Sequence, residues 1–270
     1  MTRPEWAPEG IDISVPNAAR MYDYSLGGFH NFAADRDMVE RVVAMVPNAR
    51  QVGLANRAYL GRVVRRLVSE GVRQFLDVGS GIPALACVHE VAQAAAPDAR
   101  VVYVDVDAVA VAHGRAILTG NDRATAMVGD VRRPGDILHH PEVTGLLELD
   151  RPVAVLLMAV LHFVPDADDP AGIVARFRDA VAPGSYVALS HGSPPPRRED
   201  GDVMTAAYER TSTPLRLRTA EQIGHLLDGL ELLDPGVVPV TDWHPDPRDI
   251  GVEPVPEVLA AVGRKPAEAR

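Results

Sequence analysis

A short apolar strand passes into a glycine-rich turn in the sequence QFLDVGSGIPA, residues 74–84. The apolar run is typical of a buried parallel strand, because such strands are covered by helices on both faces. Gly79 and Gly81 permit a tight turn and let a ligand approach the backbone ahead of a helix whose N–H groups point outward. The segment therefore predicts a ligand-binding turn. With Ala84 it also fits G-x-G-x-x-A, which keeps a nicotinamide or flavin dinucleotide open as the ligand.

Strands and helices alternate on the C-terminal side of this turn. Further strands are predicted at residues 100–104, 125–128, 153–159 and 186–190, with helices at 83–96, 108–118, 170–181 and, behind a capping box, 219–227. This alternation needs right-handed crossovers, so we expect an α/β fold with a doubly wound parallel sheet. Asp234-Pro235-Gly236 separates apolar runs at 230–233 and 237–240 and predicts a closing hairpin.

On the N-terminal side the pattern is helical. After an extended arm over residues 1–15, helices are predicted at 16–24, 35–46 and 56–69. Aromatic residues make up 5% of the chain, yet four of them cluster around Gly27-Gly28: Tyr22, Tyr24, Phe29 and Phe32. The cluster favours a lid that bends over a ligand at the glycines; the alternative is a cap packed on the sheet edge. We divide the chain into arm and helical lid or cap (1–70), α/β core (71–245) and C-terminal tail (246–270).

Composition narrows the possible partners. The 270 residues carry a formal charge of −10, which repels phosphate backbones, so we expect no nucleic-acid partner. Cys87 is the single cysteine, and His139-His140 lacks spaced ligand partners, so no metal site is expected. The longest apolar stretch, residues 153–164, is too short to span a bilayer, and the N-terminus does not resemble a signal peptide. We expect a cytoplasmic protein without a membrane partner.

Acidic residues recur where the predicted parallel strands end, and in open α/β sheets that edge binds the ligand. Asp105, after the second strand, has a carboxylate able to accept both hydrogens of a ribose diol. Asp77 lies beside the glycine turn, where it would repel a pyrophosphate but suit an ammonium group. Asp130, after the third strand, is placed to read an adenine edge. Asp77 and Asp130 therefore weigh against a dinucleotide.

This ordered set, together with Leu161-His162-Phe163, resembles the class I S-adenosylmethionine (SAM)-dependent methyltransferases over residues 74–191. The sequences ARMYDYSLGG (19–28) and NFAAD (31–35) extend the likeness to nearly the whole chain, resembling a bacterial family of S-adenosyl methyltransferases with undefined acceptors. The resemblance implies a seven-stranded Rossmann-like sheet, SAM as cofactor and methyl transfer as the activity. Pro83 departs from the third glycine of many class I enzymes. The predicted cofactor-binding residues are Arg20, Tyr24, Asn31, Asp77, Gly79, Ser80, Gly81, Asp105, Val106, Asp130, Val131 and Ala159.

Two histidines are candidates for the chemistry. In this fold His162 would face the methyl group and accept a proton or orient the acceptor; His191, after the fifth strand, is the second candidate. The chain lacks an Asn-Pro-Pro-Tyr-like sequence after the fourth strand, which argues against methylation of adenine or glutamine amino groups. We predict O-methylation of a small-molecule acceptor, with N-methylation open and a homodimer as the candidate assembly.

Two other functions stay open at this point: a non-catalytic SAM-binding regulator and an NAD(P)-dependent oxidoreductase. An open pocket around His162 would favour the enzyme, whereas a closed apolar wall there would favour the regulator.

Overall fold

A computed structural model describes residues 7–8, 10–83, 87–209, 211, 213–247 and 253–267. Its centre is one sheet in the order β3-β2-β1-β4-β5-β8-β6, with β7 also paired to β8. The strands are β1 (Gln74–Val78), β2 (Arg100–Asp105), β3 (Ala124–Val128), β4 (Ala154–Met158), β5 (Tyr186–Gly192), β6 (Glu231–Leu232), β7 (Val238–Pro239) and β8 (Val258–Arg264). Strands β1 to β5 are mutually parallel, which confirms the predicted parallel sheet.

Helices cover both faces of the sheet. They are α1 (Ala18–Ser25), α2 (Ala33–Met45), α3 (Ala49–Ser69), α4 (Val88–Ala95), α5 (Ala108–Ile117), α6 (Pro134–Leu138), α7 (Pro141–Thr144), α8 (Pro170–Ala180), α9 (Arg198–Tyr208) and α10 (Ala220–His225), with 3-10 turns at Leu161–Phe163 and Asp166–Asp168. Successive strand residues face opposite layers, as a period of two requires. Phe75 packs with α3 and α4 in one apolar layer, while Leu76 packs with α8 in the other. No helix in these ranges is both long enough and apolar enough to cross a membrane.

The C-terminal part of the sheet differs from the sequence prediction. The two runs around Asp234-Pro235-Gly236 do not pair with each other, so the predicted hairpin is wrong. Instead β6 and β7 both pair antiparallel with β8, along the edge that β5 leaves free. Together they fill one position, which gives the seven strand positions that were expected. Strand β8 itself comes from the segment predicted as a tail, and its apolar sequence VLAAV is buried between β5 and the β6–β7 edge.

The N-terminal helices form a separate layer over the C-terminal ends of the strands. Met21 of α1 packs with Met38 and Val42 of α2 and with Ala207 of α9. Helix α3 begins at Ala49, seven residues before the predicted start, and α9 is a helix that the sequence patterns did not predict. Residues 84–86, within the predicted 83–96 helix, and residues 1–6 and 9 of the predicted arm lie outside the described residues. The layer places α1, α2, α9 and the N-terminal part of α3, whose remainder packs on one face of the sheet, opposite the strand ends where ligands bind.

Candidate cofactor and acceptor cavity

A cavity of about 830 Å³ lies between the strand ends and the N-terminal helices. Its volume falls within the range of small-molecule sites, about 300–1,000 Å³. The structure brings most of the predicted site residues to its wall: Arg20, Asp77, Gly79, Ser80, Gly81, Asp105, Val106, Asp130, Val131, Ala159 and His162. Strand order explains this convergence, because β1 has β2 on one side and β4 on the other and the chain reverses direction across the sheet there.

The glycine turn after β1 has the backbone that its sequence predicts. Gly79 and Gly81 have φ values of +74° and +65°, which only glycine adopts freely. A Cβ at Gly79 would lie 2.3 Å from Cγ2 of Val160, so the turn packs directly against the end of β4. A Cβ at Gly81 would meet no atom within 4 Å, although Gly81 lines the cavity. The open space over this backbone is the cradle that a ligand would occupy.

Asp105 is held rigidly at the end of β2. Its Oδ2 accepts a hydrogen bond from the Gly81 N–H at 2.7 Å, and its Oδ1 accepts one from the Asp107 N–H at 2.8 Å. Burial raises the pKa of Asp105 to about 6, although these hydrogen bonds favour the ionised form. Each carboxylate oxygen keeps a lone pair for a further donor, so two hydroxyls can still bind.

Asp77 presents a second buried carboxylate at the end of β1, with 3% of its surface exposed. Burial raises its pKa to about 7; Arg57 of α3 acts in the opposite direction and Asp105 adds to the rise. Arg57 also lines the cavity, and no sequence motif marks it because it lies in the interior of a helix. A cationic group beside Asp77 would favour the ionised carboxylate.

Asp130 accepts hydrogen bonds from Arg132, two residues further along the chain. Nε of Arg132 lies 3.0 Å from both carboxylate oxygens, and Nη2 lies 2.5 Å from Oδ2. These bonds lower the pKa of Asp130 below its usual range. Any adenine amino group placed here would share the carboxylate with Arg132, which also lines the cavity. Val106 leaves 58% of its surface exposed at the cavity and offers an apolar face for a base.

Arg20 joins the N-terminal layer to the sheet edge. Its Nε lies 3.2 Å from Oδ2 of Asp107 and 3.7 Å from Oδ1 of Asp35, and all three side chains are buried. Arg20 also donates hydrogen bonds to the carbonyls of Asp12 and Val15. Nε and the Asp107 Oδ2 make no hydrogen bond to the described residues, so the attraction between them is one of charge. Arg20 therefore positions α1 above the cavity, with two of its five N–H donors in hydrogen bonds to the described residues.

Tyr24 and Asn31, which were also predicted to contact the cofactor, are not among the residues that line the cavity. The Tyr24 hydroxyl donates to Oε1 of Glu40 at 2.7 Å. Nδ2 of Asn31 donates to Oδ2 of Asp23 at 2.9 Å and to the Gly28 carbonyl at 3.0 Å. Their polar groups stabilise the bend at the end of α1 instead of facing the cavity.

His191, the second histidine candidate, is fully buried and lies outside the cavity wall. Nη1 of Arg218 lies 2.8 Å from its Nε2, and the Gly192 carbonyl lies 2.7 Å from its Nδ1. A guanidinium can only donate a hydrogen bond and a carbonyl can only accept one. Nε2 of His191 therefore accepts from Arg218, and its Nδ1 donates to the Gly192 carbonyl. Burial lowers its pKa to about 4. His191 is therefore a neutral structural residue without access to a reacting group.

His162 does line the cavity, at the turn after β4. Its Nδ1 accepts a hydrogen bond from the Gly192 N–H at 3.1 Å, so a neutral ring carries its proton on Nε2. Burial lowers its pKa well below the usual value, and the nearby His191 and Arg218 act in the same direction. The proton-accepting role predicted for His162 does not fit this arrangement. The ring can instead donate a hydrogen bond from Nε2.

The part of the cavity beyond His162 is mainly apolar, and sequence reasoning missed most of it. We call it the acceptor chamber; its apolar wall comes from α2, α9 and two loops and comprises Val39, Val42, Val43, Val46, Phe163, Met204, Tyr208 and Leu215. Polar residues outside the cofactor set also line the cavity, among them Asn56, Ser193, Asp200 and Thr213. The Tyr22 hydroxyl donates to the Gly53 carbonyl at 3.0 Å, and Asn48 at the start of α3 donates to Glu257. Around His162 the structure thus has an open pocket.

The chain is similar to a known protein family and to several solved structures. The chain matches the S-adenosyl methyltransferase family over residues 4–266. A candidate methyltransferase from Thermobifida fusca is 37% identical, with a TM-score of 0.90 over 98% of this chain and 100% of its own. A DUF574 family protein from Streptomyces avermitilis is also 37% identical, with a TM-score of 0.89 over 94% of this chain and 100% of its own. Human N-acetylserotonin methyltransferase, solved in complex with SAM, shares the fold at 16% identity and a TM-score of 0.51, over 91% of this chain and 62% of its own. No protein of curated function matches the chain.

Proposed function

This chain belongs to the S-adenosyl methyltransferase family, and we propose that it methylates an ionised oxygen of a small, mostly apolar acceptor. The family establishes SAM as the cofactor and methyl transfer as the activity, which removes the dinucleotide alternative. One observation carries the proposal: predicted cofactor residues and an apolar chamber share a single cavity, with His162 at its wall.

The residues at the ends of β1, β2 and β3 fit SAM by their chemistry. Asp77 would hold the ammonium group, Asp105 the ribose hydroxyls, and Asp130 with Val131 the adenine edge. The uncovered backbone at Gly81 leaves room for the ligand beside these carboxylates. When bound there, SAM supplies a methyl group on a positively charged sulfur, already activated for displacement.

The neutral His162 ring supports an acceptor oxygen that arrives ionised. Its Nε2–H is a donor, and a donor stabilises an anionic oxygen, such as a phenolate or a carboxylate, better than a neutral one. A protonated hydroxyl would need a base, and His162 has its Nδ1 occupied and its pKa depressed. We therefore place the oxygen against Nε2 of His162.

Methyl transfer to an ionised oxygen requires no removal of a proton. The oxygen contributes the electron pair of the new C–O bond, and the pair of the breaking C–S bond stays on sulfur. The negative charge on oxygen and the positive charge on sulfur cancel. The protein then has to align the two partners, and alignment alone can contribute about 7–11 kcal/mol to the lowering of the barrier.

The apolar chamber serves that alignment by excluding water. The Phe163 ring packs beside His162 and Tyr208, and valine side chains of α2 line the same cavity. Such a wall favours a small apolar acceptor, and the open pocket favours the enzyme over the non-catalytic regulator.

The test combines calorimetry with a matched panel of acceptors. SAM binding is measured first, and methyl transfer from SAM tritiated in its methyl group is then assayed with para-propylphenol, para-propylbenzoate and para-propylaniline. We expect label in the phenol or the benzoate. Label confined to the aniline would overturn O-methylation, and SAM binding with no transfer to any of the three would count against a small apolar acceptor.

Variants of His162 test the donor role. His162→Phe keeps a ring but removes the donor, and we expect kcat/KM to fall by about a hundredfold. His162→Gln retains an N–H donor and should recover part of that loss. Equal rates in the two variants would show that donation from Nε2 is not used.

A further inference from the structure

Glu257 lines the cavity, and one of its carboxylate oxygens has no hydrogen-bond partner among the described residues. Its Oε1 accepts a hydrogen bond from Nδ2 of Asn48 at 2.9 Å, which fixes the carboxylate against the start of α3. Its Oε2 is buried and has no hydrogen-bond partner in the described part of the chain. Asn48 and Glu257 both line the cavity. One oxygen is thus held in place while the other is left for something the cavity binds.

The charges around the cavity do not neutralise this group. Among the residues that the structure describes, seven carboxylates line it, from Asp12, Asp77, Asp105, Asp107, Asp130, Asp200 and Glu257, against three guanidinium groups, from Arg20, Arg57 and Arg132. Arg20 faces Asp107, and Arg132 is bonded to Asp130. Arg57 acts on Asp77. Among the described residues Glu257 forms no ion pair.

A buried carboxylate oxygen without a partner is costly, and a bound cation or N–H donor removes that cost. Resting on the proposed function, we propose that Glu257 selects acceptors that carry a protonated amino group apart from the methylated oxygen. The ammonium group binds Oε2, while Asn48 holds the carboxylate in position. An ammonium group is favoured over a hydroxyl because both partners are charged, and an acceptor carboxylate at this end is repelled.

A series of phenols tests this selectivity. Each phenol carries a para-alkyl arm that ends in an ammonium, a hydroxyl or a carboxylate group, and the arms are short, intermediate or long so that one length spans the chamber. Binding is measured by calorimetry with S-adenosylhomocysteine present, so the readout does not depend on methyl transfer. For at least one arm length we expect the amine to bind about tenfold more tightly than the alcohol, with the carboxylate weakest.

Glu257→Gln is the decisive variant, because it keeps the shape of the side chain and removes the charge. It should abolish the preference for the amine and leave the affinity for the alcohol and for S-adenosylhomocysteine unchanged. The matched control is Glu231→Gln, the same change on an exposed residue of β6. Equal binding of amine and alcohol at every arm length, or an amine preference that persists in Glu257→Gln, would overturn the proposal.

The two proposals fail separately. Amine selectivity that depends on Glu257, without methylation of any phenol, supports the amine site and counts against O-methylation. Methylation of phenols without such selectivity overturns the amine site alone.

Discussion

The two halves of the cavity are built in different ways. The cofactor half consists of strand ends and backbone: Asp105 is fixed by the N–H groups of Gly81 and Asp107, all within short reach of β1 and β2. The acceptor half consists of helix faces and of Glu257, whose partner Asn48 lies 209 residues away in the chain. The first is a rigid consequence of sheet topology, while the second is a packing arrangement that can vary without altering the sheet. We therefore expect substitutions in the cofactor half to weaken SAM binding, and those at Glu257 and on the helix faces of the acceptor half to change acceptor selectivity.

The largest effect is expected at Gly79. Gly79→Ala places a Cβ 2.3 Å from Cγ2 of Val160 at a φ of +74°, so both the side chain and the backbone are strained. We expect a loss of about 2–4 kcal/mol in the free energy of unfolding, together with loss of SAM binding. Denaturant unfolding and calorimetry measure the two quantities.

Gly120→Ala is the matched control for this change. Gly120 has a φ of +86° with no atom within 4 Å of its Cβ position, so it reports the backbone strain alone. We expect Gly120→Ala to lower the free energy of unfolding by about 1 kcal/mol. The double variant Gly79→Ala with Val160→Ala should recover part of the difference. Equal losses at Gly79 and Gly120 would show that the contact with Val160 is unimportant.

Asp105→Ala should come next in size. If the carboxylate binds the ribose hydroxyls, its removal weakens SAM binding by about 1.5–3 kcal/mol. Asp122→Ala, at an exposed position after α5, serves as the charge-matched control. Unchanged SAM affinity in a folded Asp105→Ala protein would remove the ribose assignment.

The cofactor half could be predicted from the sequence because its residues immediately follow predicted strands. The ends of parallel strands meet at one edge of the sheet regardless of how the helices pack. Sequence reasoning failed where contacts come from distant segments. Glu257 precedes a strand in a stretch predicted as a tail, so nothing indicated that it would meet Asn48. The proton position on His162 depends on the N–H of Gly192, thirty residues away. His191 immediately precedes the cavity-lining Gly192, yet it is held away from the cavity by Arg218.

A third prediction concerns pH and the cofactor half. Asp77 has a pKa raised to about 7, chiefly by burial, so a growing fraction is protonated as the pH falls below 7. A cationic ammonium group binds the ionised form, and SAM affinity should therefore fall by up to about tenfold per pH unit below that value. The stability of the free protein depends on pH in the opposite direction to SAM affinity. Because burial favours the neutral carboxyl of Asp77, its contribution to stability is present at low pH and is lost as the pH rises through about 7. Calorimetry between pH 6 and pH 8 on the native protein and on Asp77→Asn tests this, since the variant should lose most of the slope. Equal slopes in the two proteins would remove Asp77 from the ammonium site.

The smallest effect is expected in the N-terminal layer, and it decides between a lid and a fixed cap. Arg20 already ties α1 to Asp107, and Met21 is buried against α2, so the segment is largely in place before any ligand binds. It nevertheless borders the cavity through Arg20 and Tyr22, and a ligand there would oppose its local opening. We expect SAM to slow hydrogen exchange over residues 16–35 by about threefold, while peptides from α8, on the other face of the sheet, serve as the internal control and stay unchanged. A larger change would indicate that the layer opens widely to admit ligands. Identical exchange with and without SAM would make the segment a structural cap. The aromatic residues around Gly27-Gly28 would then serve packing alone: Tyr22 and Tyr24 bond to α3 and α2, and Phe32 packs against α5.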